Sequence, residues 1–455
     1  MSRRINTEQK ISFSENQLNT GKGGKLIFTS HNARPCALLI SDDRLRAAEF
    51  FPEKRSEVGA IHICRVKSVV KNMDAYFVEI GSEKREVCFL SKKDAAYPYL
   101  LNRAWDGRIK EGDEFPVQVT RDAQKTKQAS VSTMISLSND YFAISIGETK
   151  TGYSNKLTLD QKRKLKTILK QNEIVVMDSL PLPQDNDHSV PVGMVVRTRA
   201  EEFISSVENR KTETPGDDLF ESMTTARTVF DELLNRFREL FRTAAHRSCF
   251  SCLVPAPGMA EDVLTHLVSP AEFDEILTDD KQFFADLQEM SQNSFSQALS
   301  DKKIRFYTEK EQEELSLSGL YGLKSKIETA TARRVWLRSG AYLVIDPTEA
   351  MTVIDVNSGK CDTAKPTEET FRLINREAAE EIALQLRLRN LSGIIIVDFI
   401  NMDKYEDKKA LLQYLEELTS SDRQKTKIVD ITPLGLVEIT RKKVGRSLAE
   451  QLAAL

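Results

Sequence analysis

From Lys25 onward, hydrophobic and polar positions alternate in short runs, Leu26–Thr29, Ala37–Ile40 and Leu45–Phe50, each of strand length and each closed by turn-forming residues. The same texture continues through Gly59–Val69, Ala75–Ile80, Val87–Leu90, Glu114–Val119 and Ala129–Ile135. Strands this short and this regularly interrupted predict a small antiparallel barrel over 59–135. The pattern then changes. Gln161-Lys-Arg-Lys-Leu-Lys166 predicts a basic helix, Met194-Val-Val-Arg-Thr198 ends a strand, and Lys211–Asp218 reads as an exposed loop. From Thr224 to His246, Val229, Phe230, Leu233, Leu234, Phe237, Leu240 and Phe241 recur at spacings of one, three and four, the stripe of an amphipathic helix. Beyond Arg334, strands (Ala341–Ile345, Met351–Val356, one starting at Gly393 and a last one at Ile428–Ile431) alternate with helices, one following Pro366 and one over 404–419. That alternation predicts an α/β domain of the kind that carries catalysis.

Composition narrows the class. A chain of 455 residues suggests about three domains at roughly 150 residues each. With 40% apolar and 29% charged residues it can bury a sizeable core, which excludes global disorder. The polar stretch 1–24, closing with Thr20-Gly-Lys-Gly-Gly24, predicts a flexible arm. The most apolar run, Gly393–Ile400, is short and interrupted by Asp398, and no apolar block follows the basic N-terminus, so neither a membrane helix nor a secretory signal is expected. Six scattered cysteines fit a reducing cytoplasm rather than a disulfide scaffold. Lys and Arg number 65 against 68 Asp and Glu, which excludes a generic polycationic nucleic-acid binder. Phosphate affinity depends on where charges sit, however, and Lys84, Arg85, Arg121, Lys127, Arg197 and Lys442 all lie outside the acidic stretch Glu261–Glu289.

Two carboxylates stand in positions that ask for a reason. In Ile394-Ile-Ile-Val-Asp-Phe-Ile400, a strand would place Ile394, Ile396, Asp398 and Ile400 on one face. Burying an ionised carboxylate there costs several kcal/mol unless it is paired or bound to a cation. In Val353-Ile-Asp-Val-Asn-Ser-Gly359, Asp355 and Asn357 share a face at a strand's C-terminal end. A strand–helix–strand path can bring Asp355 and Asp398 together. Two carboxylates and an amide suit a hard cation such as Mg²⁺, which is held by one or two carboxylates and completed by waters and substrate phosphate. The alternatives are equally physical: Asp398 can meet Arg387 or Arg389, and Asn357-Ser-Gly359 can be plain turn chemistry.

Longer motifs bear on the choice. Tyr342-Leu-Val-Ile-Asp-Pro-Thr-Glu-Ala350 with Thr352-Val-Ile-Asp-Val-Asn-Ser-Gly359 resembles the active-site signature of the ribonuclease E/G family, and Gln385-Leu-Arg-Leu-Arg389 with Gly393–Met402 is similar to its second motif. The resemblance runs over about residues 26–445 and is strongest over 335–445. It implies a multidomain α/β and β architecture, with an OB-fold barrel and a sensor region inserted into an RNase H-like domain and a DNase I-like catalytic domain after it. The implied segments are an arm at 1–24, RNase H-like parts at 25–58 and 244–332, the OB-fold at 59–135, the sensor at 136–243 and the catalytic domain at 333–455. The implied activity is metal-dependent endonucleolytic cleavage of single-stranded RNA in rRNA maturation and mRNA turnover, leaving 5′-phosphate and 3′-hydroxyl ends, in the cytoplasm. Asp355 and Asp398 fall on the family's Mg²⁺-binding aspartates (Mn²⁺ being an alternative ion) and Asn357 on its active-site asparagine. Phe77 and Phe89 fall on base-stacking phenylalanines, and Arg121 and Lys127 on basic residues that face RNA. Arg197 and Thr198, with Lys425, fall on a pocket for a 5′-monophosphate.

Departures from the pattern are local. Asn401 replaces an aspartate, Lys425 an arginine, and Arg199-Ala-Glu-Glu-Phe203 a run of small residues, while Cys361 has no counterpart role. The family's zinc-binding cysteine pair is not matched, and the lone Cys249-Phe-Ser-Cys252 is a poor substitute, so zinc and a zinc-linked dimer are not expected. Two rival readings remain open at this stage: a non-catalytic RNA-binding protein of the same fold, and a phosphoesterase acting on DNA or small nucleotides.

Overall fold

A computed structural model describes residues 23–52, 56–82, 84–123, 127–176, 179–204, 218–292, 299, 302–359, 368–420 and 422–453. The arm expected over 1–24 (Gly23 and Gly24 apart), most of the loop at 211–218 and Cys361 lie outside the described residues. The chain divides into two compact units, one holding 54–258 and 289–300, the other holding 1–53, 259–288 and 301–455.

Strands β1 (Lys25–His31), β2 (Arg34–Ser41) and β3 (Arg44–Phe50) form an antiparallel meander. Two-residue turns with left-handed backbone at Asn32–Ala33 and Asp42–Asp43 join them. The predicted strands here are correct to within a few residues.

The inserted unit begins with β4 (Ile61–Val70), β5 (Ala75–Ile80), β6 (Glu86–Ser91), β7 (Glu114–Arg121) and β8 (Ser130–Ser132). Pairings β4–β5–β6–β8–β7 close back through β4–β7, giving a five-stranded barrel consistent with an OB-fold. Closure removes the sheet edges, and Cys64, Val78, Cys88, Leu90, Phe115 and Val117 fill the interior. The strand expected over Ala129–Ile135 is shorter than predicted, because the chain leaves the barrel after Ser132 and starts β9 (Ser136–Ser138) in another sheet. That sheet adds β10 (Phe142–Ile146), β11 (Thr151–Tyr153), β12 (Ser179–Leu182) and β13 (Asp185–Val196). The basic helix spans Leu159–Gln171, with Thr158 and Gln161 forming a capping box at its start. The long helix spans Asp218–Ala244, and every residue of its predicted stripe is buried. Phe230 meets Phe142 edge-on and Phe241 packs on Tyr99, seating the helix on this sheet's core. A short strand, β14 (Cys252–Val254), then pairs with β4.

In the other unit, β15 (Glu275–Thr278) and β16 (Lys303–Phe306) extend the first meander in parallel, giving the order β16-β15-β1-β2-β3. Neither strand is apparent from sequence pattern alone. The C-terminal sheet has the order β17-β18-β19-β20-β22-β21, from Arg334–Trp336, Tyr342–Pro347, Met351–Asn357, Gly393–Asp398, Val437–Arg441 and Thr426–Ile431 respectively. Ile428–Ile431 is therefore not the last strand. After Thr432-Pro-Leu-Gly435 the chain turns back as β22, which inserts between β20 and β21. Helices Glu368–Leu388 and Tyr405–Ser420 contribute Ile374, Ala378, Ile382, Leu411 and Leu415 to a core with Leu343, Ile345, Ile354, Ile395, Val397 and Ile439 on one face of this sheet.

Candidate functional site

The other face of the C-terminal sheet stays open. Along β19 exposure alternates, with Thr352, Ile354 and Val356 buried and Met351, Val353 and Asp355 exposed. On β20, Ile395 and Val397 are buried while Ile394 and Asp398 are exposed. Strands β19 and β20 are parallel neighbours, and Asp355 is the direct partner of Asp398. Adjacent strands lie about 4.8 Å apart and paired residues project to the same side, so the two carboxylates stand side by side on the open face at the carboxyl ends of their strands. Asn357 sits one pleat further along and donates from Nδ2 to Asp355 Oδ2 at 2.7 Å. The structure thus brings together the three residues singled out by sequence, although the chain between them spans the whole Glu368–Leu388 helix.

One premise of the sequence argument and one of its alternatives do not hold. Asp398 is exposed, so a desolvation cost gives no reason for a cation. The arginines proposed as partners are committed elsewhere: Arg387 holds Glu272 and the Leu267 carbonyl, while Arg389 donates to Gln385 Oε1 at 2.5 Å and to the Ala332 carbonyl at 2.7 Å. Among the described residues neither Asp355 nor Asp398 forms an ion pair with Lys or Arg. The Gln385-Leu-Arg-Leu-Arg389 motif serves the scaffold, continuing through Gln385 to the buried Glu381, which accepts both oxygens' worth of hydrogen bonds from Arg44 at 2.9 and 2.8 Å.

The chain at 357–359 is constrained by sterics. Gly359 has φ +61°, and a Cβ there would sit 2.3 Å from the Gly340 carbonyl oxygen, so only glycine lets the chain pass. The loop after Asp398 is held by a residue that sequence reasoning missed. Asn375, fully buried in the helix, donates to the Ile400 carbonyl at 2.7 Å and accepts from the Ile400 amide at 3.0 Å. The signal was an amide inside the apolar stripe Ile374–Ala378–Ile382. Asn375→Leu strands both Ile400 groups, and we expect a loss of about 1–3 kcal/mol in unfolding free energy. Chemical denaturation measures that loss.

The donor set fits a hard divalent ion. Two carboxylates and an amide offer only oxygen ligands and the open face leaves room for waters and phosphate, as Mg²⁺ or Mn²⁺ requires. Among the described residues no group of three or more His, Cys, Asp or Glu is placed to hold a metal.

On the barrel, Phe77 and Phe89 are direct cross-strand partners with ring centroids 6.1 Å apart. Both are half-buried, and the barrel interior is filled instead by Val78, Ile80, Cys88 and Leu90. The register continues from Phe89 to Ser130 and from Ser130 to Arg121. One row on the outer surface therefore carries two aromatic rings and ends at an exposed guanidinium, with Lys127 exposed beyond it. In the neighbouring sheet of the same unit, Arg197 and Thr198 follow β13. Arg197 donates to the Asn139 carbonyl at 2.5 Å, and Thr198 Oγ1 shares a hydrogen bond with Ser154 Oγ at 2.8 Å. Burial lowers the Arg197 pKa from its ordinary value. Arg199 is tied to Asp140 and Glu202 at 2.6 and 2.7 Å, which gives the departing segment a scaffold role. Lys425 belongs to the other unit and is exposed immediately before β21.

The model of the ribonuclease E/G family matches residues 136–444. Ribonuclease G of Salmonella typhimurium (strain SL1344) is 30% identical over 411 residues, covering 88% of this chain and 75% of its own length. Ribonuclease G of Escherichia coli K12 is 29% identical over the same span. Ribonuclease E of Synechocystis sp. is 28% identical over 429 residues, 91% of this chain and 58% of its own length. The chain belongs to the ribonuclease E/G family. Among the described residues no helix is long and apolar enough to cross a membrane.

Proposed function

We propose that this chain is an Mg²⁺-dependent endoribonuclease that hydrolyses phosphodiester bonds within single-stranded RNA. The observation that carries the reading is the Asp355–Asp398 pair, in register on an open sheet face, in a chain whose relatives are named ribonucleases. Asp355 and Asp398 hold the divalent ion, Mg²⁺ or alternatively Mn²⁺, and Asn357 fixes the carboxylate of Asp355 through its amide. When bound, such an ion supplies a lowered water pKa and stabilisation of charge on the phosphoryl oxygens. The apolar surroundings of Val353, Ile394 and Ile396 lower the local dielectric around the scissile phosphate once RNA covers the face. Phe77 and Phe89 stack bases at roughly 1–3 kcal/mol each, and Arg121 and Lys127 neutralise phosphates. Arg197 and Thr198 bind a 5′-monophosphate, which stimulates cleavage. In this reading the barrel is an OB-fold within an RNase H-like frame, and the C-terminal sheet with its helices is DNase I-like. The biological setting is rRNA maturation and mRNA turnover in the cytoplasm.

The test is cleavage of a single-stranded RNA carrying a 5′-monophosphate or a 5′-hydroxyl, with Mg²⁺ or with EDTA. Internal cuts that need Mg²⁺ and leave 5′-phosphate ends are expected, faster on the monophosphorylated strand. Binding without cutting would make the chain an RNA-binding member of the family. Equal cutting of single-stranded DNA would make it a broader phosphoesterase. Equal rates on the two 5′ ends would remove the sensor.

A further inference from the structure

A second cluster adjoins the carboxylates on the same open face. Cross-strand register runs Trp336–Tyr342–Asn357, next to the row Arg334–Val344–Asp355–Asp398. Rows two residues apart along a strand are separated by about 6.6 Å, so the aromatic row lies beside the carboxylate row within the span of neighbouring nucleotides. Trp336 is 61% exposed, although tryptophan is among the side chains that gain most from burial. The sheet's interior does not need it, because Val335, Leu337, Ala341 and Leu343 fill the opposite face. Its ring is nevertheless held. The Tyr342 ring lies 5.1 Å away, and the Arg334 guanidinium sits 4.5 Å from the Tyr342 centroid and 5.6 Å from that of Trp336. A pair of tilted aromatic rings open to solvent, backed by a cation and continuous with the proposed cleavage site, matches a base attached to a phosphate.

We propose that Trp336 and Tyr342 form a stacking platform for the base of a nucleotide flanking the scissile phosphate, with Arg334 meeting the adjoining backbone phosphate. The platform reads no particular base, since every base offers a π-face. It sets the register of the strand by seating one nucleotide beside Asn357. The inference rests on the reading of the carboxylate pair as the cleavage site.

The chain contains two tryptophans, Trp105 and Trp336, so base stacking on Trp336 can be read as fluorescence quenching. Short single-stranded RNA is titrated in EDTA into the full chain, Trp336→Phe and Trp336→Ala, and cleavage kinetics with Mg²⁺ are then measured on all three. Wild type should quench on binding. Trp336→Phe should lose the quench and keep its affinity, while Trp336→Ala should bind about tenfold more weakly and show a raised KM at unchanged kcat. An RNA with an abasic residue at the seated position should bind wild type as weakly as Trp336→Ala binds intact RNA. Quenching that persists in Trp336→Phe, or wild-type affinity and KM in Trp336→Ala, overturns the platform while leaving the nuclease reading intact. Quenching at Trp336 without Mg²⁺-dependent cleavage would leave the platform standing and remove the nuclease.

Discussion

Asp398→Asn should reduce RNA cleavage in Mg²⁺ on the order of 10³-fold or more, and Asp355→Asn should do the same. Either change removes half of the anionic charge that can hold a divalent ion on the open face while preserving side-chain volume. Because Asp355 and Asp398 are exposed, their replacement should move unfolding free energy by no more than about 0.5 kcal/mol. RNA affinity in EDTA should hold or tighten, since a charge repelling phosphate is lost. Asn357→Ala should fall in between, at about 10- to 100-fold, because it releases the Asp355 carboxylate rather than removing it. Single-turnover cleavage with separate binding measurements checks all three. Wild-type rates in Asp398→Asn would sink the site assignment.

For stability, the largest single loss should come from Asp422→Ala. Arg441 on β22 is almost fully buried and donates to Asp422 at 2.6 Å, to Asn390 Oδ1 at 2.9 Å and to the Leu391 carbonyl at 2.9 Å. Removing the carboxylate strands a buried guanidinium, which costs about 3–5 kcal/mol. Replacing both partners with apolar residues, as in Asp422→Leu with Arg441→Met, should cost far less. The same pair gives an acid-dependent signature. Burial pushes the Asp422 pKa up, but hydrogen bonding and charge from Arg441, the Gln424 amide and the Thr426 hydroxyl pull it further down, leaving it below the usual carboxylate range. With the folded pKa under the unfolded value of roughly 3.9, the contribution is complete above that value and is lost as pH falls through the folded pKa. The gap in denaturation midpoint between wild type and Asp422→Ala, taken from pH 7 down to pH 3, should therefore narrow at the acid end. A gap unchanged at pH 3 would rule the coupling out.

The elements legible in the sequence were those whose periodicity is local. The stripe from Val229 to Phe241 announces its helix because a 3.6-residue repeat needs no distant partner. The strands β15 and β16 announce nothing, because their burial comes from pairing with β1 some 250 residues away in sequence. At the candidate site, period two correctly placed Asp355 with Asn357 and Asp398 with Ile394 and Ile396. What it could not give was which face is open. Val353 and Ile394 are 36% and 49% exposed, so the open face is itself apolar and reads as interior. That misreading also suggested a buried carboxylate in need of Arg387 or Arg389. Strand β22 lies beyond Ile428–Ile431 and pairs with it through a hairpin whose turn holds Pro433 and Gly435, residues that break a strand pattern. Asn375 and Trp336 were overlooked for opposite reasons, a polar group where the helix is dry and an aromatic one where the sheet is wet.

The inserted arrangement of the chain also dictates an order of assembly. Strands β1–β3 leave the ribosome well before the rest of their sheet, since β1 has its parallel neighbour β15 only after the whole of 54–258 has been made. The Phe50 amide waits longer still for the Gln451 side chain. The barrel and its companion sheet draw on nearly contiguous sequence and can close during synthesis. The nascent meander meanwhile carries an unpaired edge at β1, the kind of surface that recruits foreign strands. The meander is thus made long before it is completed, and the high sequence separation of its contacts slows that step.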